Sequence, residues 1–471
     1  MSATGTSTHA TTTGGDLDHR GSVADLGVTG MLRFGAGRWA RGEVLVRNGR
    51  VLALTEDVGV IPATRRYDVG DALVLPGIVD AHVHCLSHAG EGIAAATAAA
   101  AAGGVTTIVE MPFDATGPVN SVERFKRKRE LVESQAHVDV ALLGTVRPGG
   151  GWKDAEALRA AGVCGFKVSL FDTDPVRFPR VSDPELLDVM RVVADTRATL
   201  AIHAENNEMV KALIDYENSV DGFDPRAHLR SRPPISERLG VIVALEIARE
   251  LGTRLHLCHL SHPRAVDLVS WYADNGTDAT VETCPHYLTF TGEDMVEHRG
   301  RLKINPPLRS REDRDGMWAS LIAGDVDVVA SDHAPWPAAY KDNTNIFANH
   351  SGVPGVETIV PVVLSAALER GQACLDAAID AMTKTPAMRF GLAPRKGELA
   401  PGADADIVVF DPSAPNVLDE TRMHSNAGWS PYHGMPLKGR IAMTFSRGRL
   451  AWDGTTVVAT PGSGGAIHPG V

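Results

Sequence analysis

Cysteine is scarce in this chain. Only Cys85, Cys164, Cys258, Cys284 and Cys374 occur, and no two stand in a CxxC spacing. That argues against a disulfide scaffold or a cysteine-based zinc module. An odd, dispersed set of thiols suits a reducing compartment, so a cytoplasmic protein is expected. Long hydrophobic runs are missing too: nothing approaches the roughly 18 apolar residues of a membrane span. The alanine-rich stretch from Ile93 to Gly104 is too short for one and reads as a closely packed helix. The stretch from Met1 to about Asp25 is rich in Ser, Thr and Gly and has no apolar segment of the signal-peptide kind. Residues 1–25 are therefore expected to be a disordered tail, neither signal nor anchor. Positive charge is in deficit, with 46 Lys and Arg against 58 Asp and Glu and a net charge of −12. The basic residues are scattered, so neither nucleic acid nor a membrane surface is expected as a partner.

What the chain does have is enough apolar material for a large core: 44% of its 471 residues are hydrophobic. Strand-like and helix-like runs alternate from residue 73 to 390. Strands are expected over Leu73–His84, Val105–Pro112, Val138–Val146, Gly165–Leu170, Thr199–Glu205, Arg254–Ser261, Ala279–Leu288 and Val326–Pro335. Helical periodicity fills Pro184–Asp195, Ser236–Leu251, Arg264–Ala273 and Arg311–Ala323. Eight strands with helix signals between most of them favour an α/β fold, a (β/α)8 barrel of the TIM type, over a doubly wound open sheet. Residues 26–72 and 391–460 read differently, as short alternating runs with turn signals such as Gly42–Arg50 and Ala405–Asp411. They are expected to pair as one small β-sandwich built from both chain ends, with Gly462 to Val471 loose.

Chemistry concentrates at strand ends. Asp80, His82 and His84 alternate along the first barrel strand and should share a face. Two imidazoles beside a carboxylate suit a divalent metal of the zinc type, although HxH alone could be a stacked surface pair. His203 in Leu-Ala-Ile-His, His259 in Leu-Cys-His-Leu-Ser and Asp332 in Ala-Ser-Asp-His repeat the placement near the C-terminal ends of other strands. That is the end where barrel enzymes carry their catalytic groups. Alternation further predicts that Leu255, Leu257 and His259 face inward while His256 and Cys258 face the helices. His256, His262, His286 and His333 are assigned supporting roles. Lys167, in Gly-Phe-Lys-Val-Ser, would be repelled as an ammonium beside two cations. It is a lysine paired with a carboxylate, an exposed lysine after a register slip, or an amine carbamylated by CO2. Spacing does not choose among these.

With those residues in place, the chain resembles the cyclic amidohydrolases: hydantoinase, dihydropyrimidinase, allantoinase and dihydroorotase. The matching pieces are Pro76-Gly-Ile-Val-Asp-Ala-His-Val-His84, Gly165-Phe-Lys167, His203-Ala-Glu205, His259-Leu-Ser261, Glu282-Thr-Cys-Pro-His-Tyr287, Asn305-Pro-Pro-Leu-Arg309 and Ser331-Asp-His-Ala-Pro335. They fall in family order across residues 28–455. The resemblance implies two divalent metal ions, zinc first among them, with Lys167 as an N6-carboxylysine bridging both. It implies that His82, His84 and Asp332 hold one ion and His203 and His259 the other. It also implies a homo-oligomer, tetramer or dimer. Such ion pairs supply hydroxide near neutral pH and polarise a carbonyl. Asp332 is then the expected catalytic group, taking a proton from the attacking water and handing it to the leaving ring nitrogen.

Departures from the family patterns address the substrate. Dihydroorotases carry an Arg two residues after the HxH pair and an Asn in Met-Pro-Asn, both gripping a carboxylate. Leu86 and Phe113 stand there, and a buried carboxylate without such donors would lose its hydration uncompensated. D-selective hydantoinases and dihydropyrimidinases place a Tyr five residues after the lysine, where this chain has Asp172. The resemblance is therefore greatest to L-type hydantoinases and allantoinases, and the expected reaction opens a hydantoin-like ureide to a carbamoyl acid. Allantoin is the alternative substrate, with dihydroorotate less favoured. Asn305, Ser351 and Gly352 are expected to recognise the ring, and Phe113, Phe171 and Trp336 to form an apolar wall. A non-catalytic scaffold like the dihydropyrimidinase-related proteins is the rival class, and retention of all six metal-type residues speaks against it. A non-cyclic substrate such as a dipeptide is a third option.

Overall fold

A computed structural model describes residues 23–146 and 154–470. The expected tail over residues 1–22 lies outside the described residues. The tail's expected end at Asp25 is corrected, because the first strand, β1 (Ala24–Phe34), already includes Ala24 and Asp25. It joins β2 (Arg38–Arg47), β3 (Arg50–Thr55) and β4 (Ala63–Pro76) from the N-terminal side.

The barrel strands follow as β5 (Ile78–Val83), β6 (Val105–Glu110), β7 (Asp139–Gly144), β8 (Gly165–Ser169), β9 (Thr199–His203), β10 (Leu255–Leu257), β11 (Ala279–Thr283) and β12 (Val328–Val329). They pair parallel in chain order. A parallel bridge between Val83 and His333 brings the first strand against the segment after the last. His84 N–H donates to His333 O at 2.9 Å there, so a nearly closed barrel results. The expected helices lie on the outside, for example Asp183–Thr196, Pro234–Leu251, Pro263–Asp274 and Arg311–Ala323. Their sequences carry the signals that start helices: a Ser182/Glu185 capping box, Pro at the first turn of three of them, and a Ser310/Asp313 box.

The last strands are β13 (Ile407–Val417), β14 (Pro436–Ser446), β15 (Arg449–Trp452) and β16 (Ala466–Ile467). Both chain ends meet in one seven-stranded mixed sheet, ordered β15-β14-β13-β4-β1-β2-β3. The sheet has its own core, which gathers Val28, Val44 and Val74 from one end with Ile407, Val409 and Phe445 from the other. The two layers of the expected sandwich are thus one continuous ladder.

Three local expectations fail for identifiable reasons. Leu73–His84 is two strands, because the chain passes from the small sheet to the barrel at Gly77, whose N–H donates to Asp406 O. A side chain there would collide, since a Cβ on Gly77 would lie 2.1 Å from Thr106 Oγ1. The strand from Ala279 stops at Thr283, and Pro285 opens a short helix, Pro285–Thr289, where its missing N–H costs nothing. The stretch from Gly462 is not loose: β16 adds to β7, and Gly464 lies against the Val138 backbone. All five cysteines are free and buried. Among the described residues no helix is long and apolar enough to cross a membrane.

Candidate metal centre and active site

The six residues expected to hold metal line one cavity at the C-terminal ends of the barrel strands. His82 is the penultimate residue of β5, Lys167 lies in β8, and His203 closes β9. His259 and Asp332 come just past β10 and β12, at φ of 41° and 45°. Left-handed backbone is costly for such residues, and both are held there where they enter the site.

Within this group the polar atoms fall into two sets. His82 Nε2 and His84 Nε2 lie 3.3 and 3.5 Å from Asp332 Oδ1. His203 Nδ1 lies 3.1 Å from His259 Nε2. Two ligands each about 2.0–2.1 Å from a tetrahedral zinc sit roughly 3.3 Å from one another, so both sets have the spacing of donors around an ion. The rings of His82 and His259 are 5.3 Å apart, which brings the sets side by side. Lys167 Nζ is buried and has no hydrogen-bond partner among the described residues. An ammonium left so is costly, whereas a carboxylated lysine would bring an anion to the cations. The donor set and the orphaned amine therefore fit a binuclear centre.

Protonation follows from burial. Desolvation lowers His84 to about 4 and also lowers His203 and His259, leaving imidazoles whose lone pairs are free for a metal. For Asp332, burial alone would raise the carboxyl, but His82 and His84 bring it down to about 2, so it is ionised. His82 is the exception. Burial and Lys167 push it down, yet Glu282 and Asp332 hold it up at about 10. A cation in place of that proton would answer the same field.

Behind the donors stands a layer that sequence reasoning left unassigned. His82 Nδ1 meets Glu282 Oε1 at 2.8 Å, and His84 Nδ1 meets Ser87 Oγ at 2.9 Å. His203 Nε2 meets Glu205 Oε2 at 2.8 Å, and Arg232 also pairs with that oxygen. Each imidazole is thereby fixed in tautomer and orientation. Asp80 does not line the cavity beside His82 and His84 as alternation suggested; its Oδ1 accepts the His82 backbone N–H at 3.3 Å from behind. Val79 and Ala81 pack in the barrel interior, and Asp80 Oδ1 accepts from Ser331 N–H, steadying the approach to Asp332. His256 also departs from expectation: it faces the interior and contacts Glu282, while Leu255 and Leu257 pack against the helices. The positive φ of His259 breaks the alternation that placed them otherwise. His262 caps its helix by accepting from Arg264 N–H, and His333 accepts from Gly355 N–H. His286 is buried among its neighbours and does not line the cavity.

The cavity, about 450 Å³, suits a small ring compound. Asn305, Ser351, Gly352, Phe171 and Trp336 line it. Phe113 does not, and its place in the expected apolar wall is corrected. Its ring stacks at 3.5 Å on Phe178, and it is Phe178 that reaches the cavity. Arg177 and Arg232 also line the cavity, and no motif announced them.

Comparison with known proteins agrees with this geometry. The amidohydrolase family pattern matches residues 73–451, and the chain belongs to the amidohydrolase family. Among curated relatives, an allantoinase of Rubrobacter xylanophilus is 36% identical over 446 residues, covering 91% of this chain and 97% of that protein. An L-hydantoinase of Paenarthrobacter aurescens is 31% identical, covering 90% and 93%. The solved L-hydantoinase (dihydropyrimidinase) of Arthrobacter aurescens superposes with a TM-score of 0.91 at 30% identity, covering 94% of this chain and all of that one.

Proposed function

We propose that the chain is a cyclic amide hydrolase that opens a hydantoin-like five-membered ureide to a carbamoyl acid. The observation that carries this reading is the convergence of two donor sets and a partnerless buried lysine in one small cavity. His82, His84 and Asp332 would hold one divalent ion and His203 and His259 the other, with carboxylated Lys167 between them. Zinc suits the imidazole and carboxylate donors. Bound there, the ions would supply Lewis acidity and hydroxide near neutral pH. Asp332 is ionised, partly open to the cavity, and thus able to take a proton and return it to the leaving ring nitrogen. Asn305, Ser351 and Gly352 orient the ring, and Phe171, Phe178 and Trp336 cover its apolar side.

Allantoin is the second reading. The allantoinase relatives support it, and so do three cavity-lining residues that carry a buried polar atom without a partner among the described residues: His228 Nδ1, Arg232 Nε and Asn305 Oδ1. A substituent rich in N–H and C=O groups would satisfy them. A homo-oligomer is also proposed; Tyr216, Val220 and Phe223 are exposed apolar side chains close together in sequence.

The test is a panel of hydantoin, 5-substituted hydantoins, dihydrouracil, allantoin and dihydroorotate, read by the ring-opened product. Turnover of hydantoins or allantoin is expected. Hydrolysis of dihydroorotate alone would overturn the reading, as would turnover of dipeptides without any cyclic ureide.

A further inference from the structure

Glu282 touches one member of each donor set. It is completely buried in β11, which pairs with β10 ahead of His259 and with β12 ahead of Asp332. One oxygen, Oε1, lies 2.8 Å from His82 Nδ1 and accepts the backbone N–H of His259 at 3.0 Å. The other, Oε2, lies 3.1 Å from His256 Nε2, and His256 Nδ1 lies 2.9 Å from Thr280 Oγ1. Burial keeps His256 neutral, so it donates through Nε2 and accepts from the threonine hydroxyl through Nδ1. The carboxylate is therefore clamped from behind. Its forward oxygen holds the ring of a donor from one set and the left-handed backbone of a donor from the other.

We propose that Glu282, locked by His256, is a positioning residue that couples the two metal positions, so that its loss weakens both together. The contrast is Glu205, which among the described residues pairs with His203 and Arg232 and with no donor of the other set. A residue that orients one imidazole affects one ion; a residue that also sets the His259 backbone affects two. This rests on the binuclear reading above. It adds that the two halves are not independently built.

The test compares Glu282→Gln, His256→Gln and Glu205→Gln in the full chain, stripped of metal and then titrated with Zn²⁺ and with Co²⁺. Readouts are ions bound per chain, the affinity of each binding event by calorimetry, and the Co²⁺ absorption spectrum. Melting of the metal-free proteins confirms folding. Two ions per chain in the unaltered protein are required first, and fewer would overturn the binuclear reading itself. Glu282→Gln is expected to weaken both events by roughly 10- to 100-fold, the usual effect of losing an outer-shell partner. His256→Gln, which touches no donor directly, should weaken both to a lesser degree. Glu205→Gln should weaken one. If Glu282→Gln weakens a single event or neither, while two ions still bind the unaltered protein, the coupling is wrong and the binuclear reading stands. If Glu282→Gln no longer folds, His256→Gln decides by the same criterion.

Discussion

Lys167 is the residue on which the chemistry turns. Its amine is buried in the cavity that the four donor imidazoles line, and it has no hydrogen-bond partner among the described residues. Effective penalties for an unpaired buried ion run to several kcal/mol. Carbamylation by CO2, with release of the ammonium's protons, would replace the cation with an anion that bound divalent cations would pair. Native mass spectrometry at neutral pH is expected to show one CO2 added per chain, lost on acidification. Lys167→Met, which keeps the apolar stem and removes the amine, should fold normally. It should also lose stoichiometric metal in elemental analysis, and ring opening with it. Asp332 separates binding from proton transfer. Asp332→Asn retains an oxygen donor and cannot hold the proton, so kcat should fall by about 10²- to 10⁴-fold, the usual scale of general acid–base catalysis, while metal content is largely kept. Full turnover in that variant would remove Asp332 from the proposed role.

Much of the site could be read from strands and their ends, and the failures trace to broken alternation and to contacts between distant segments. His82, Lys167 and His203 sit in regular strand, where position alone indicates that a polar residue at the rim is available for chemistry. His259 and Asp332 lie past their strands in left-handed backbone, so counting by two from Leu255 reversed the faces of the whole β10 segment. The supporting carboxylates Glu205 and Glu282 stood in the quoted motifs, but Glu282 meets His82 from a distant strand, and Glu205, although two residues from His203, takes its second partner, Arg232, from outside the motif, so spacing did not reveal either role. Phe113 failed similarly, since only the fold shows Phe178 between it and the cavity. The junction of β4 and β5 offers a test at this scale. Gly77 carries the chain between two sheets with Thr106 on one side and Asp406 on the other. Gly77→Ala is expected to lower unfolding stability by about 1–3 kcal/mol through overpacking. The measurement is the urea midpoint at unchanged m-value.

At the scale of the whole molecule, the small sheet is bound to the barrel through a buried charge cluster. Lys396 Nζ lies 2.6 Å from Asp139 of β7, 3.0 Å from Asp404 and 2.7 Å from Asp406, the last two just ahead of β13. Those three carboxylates converge as metal ligands would. The lysine already supplies the cation, and Arg447 and Arg395 add to it. Burial alone would lower Lys396, but Asp406, Asp139 and Asp404 raise it well above its ordinary value. Its contribution is therefore complete below the unfolded-state value of about 10.4 and is lost only at strongly alkaline pH. Asp404 is opposite in sign. Burial raises it, Lys396 and Arg395 outweigh that and lower it, so its contribution is present above about 3.9 and disappears as acid protonates it. Lys396→Met leaves three buried carboxylates without their central partner. Removing one side of a buried pair typically costs about 3–5 kcal/mol, so a large drop in stability is expected near pH 7. That drop should shrink as the pH falls toward 5, because Asp404, no longer held down by Lys396, and Asp406, which burial already raises, then take up protons more readily than in the unaltered protein. Denaturant melts of both proteins across that range measure it. A difference independent of pH would mean that Lys396 acts through packing and not through charge.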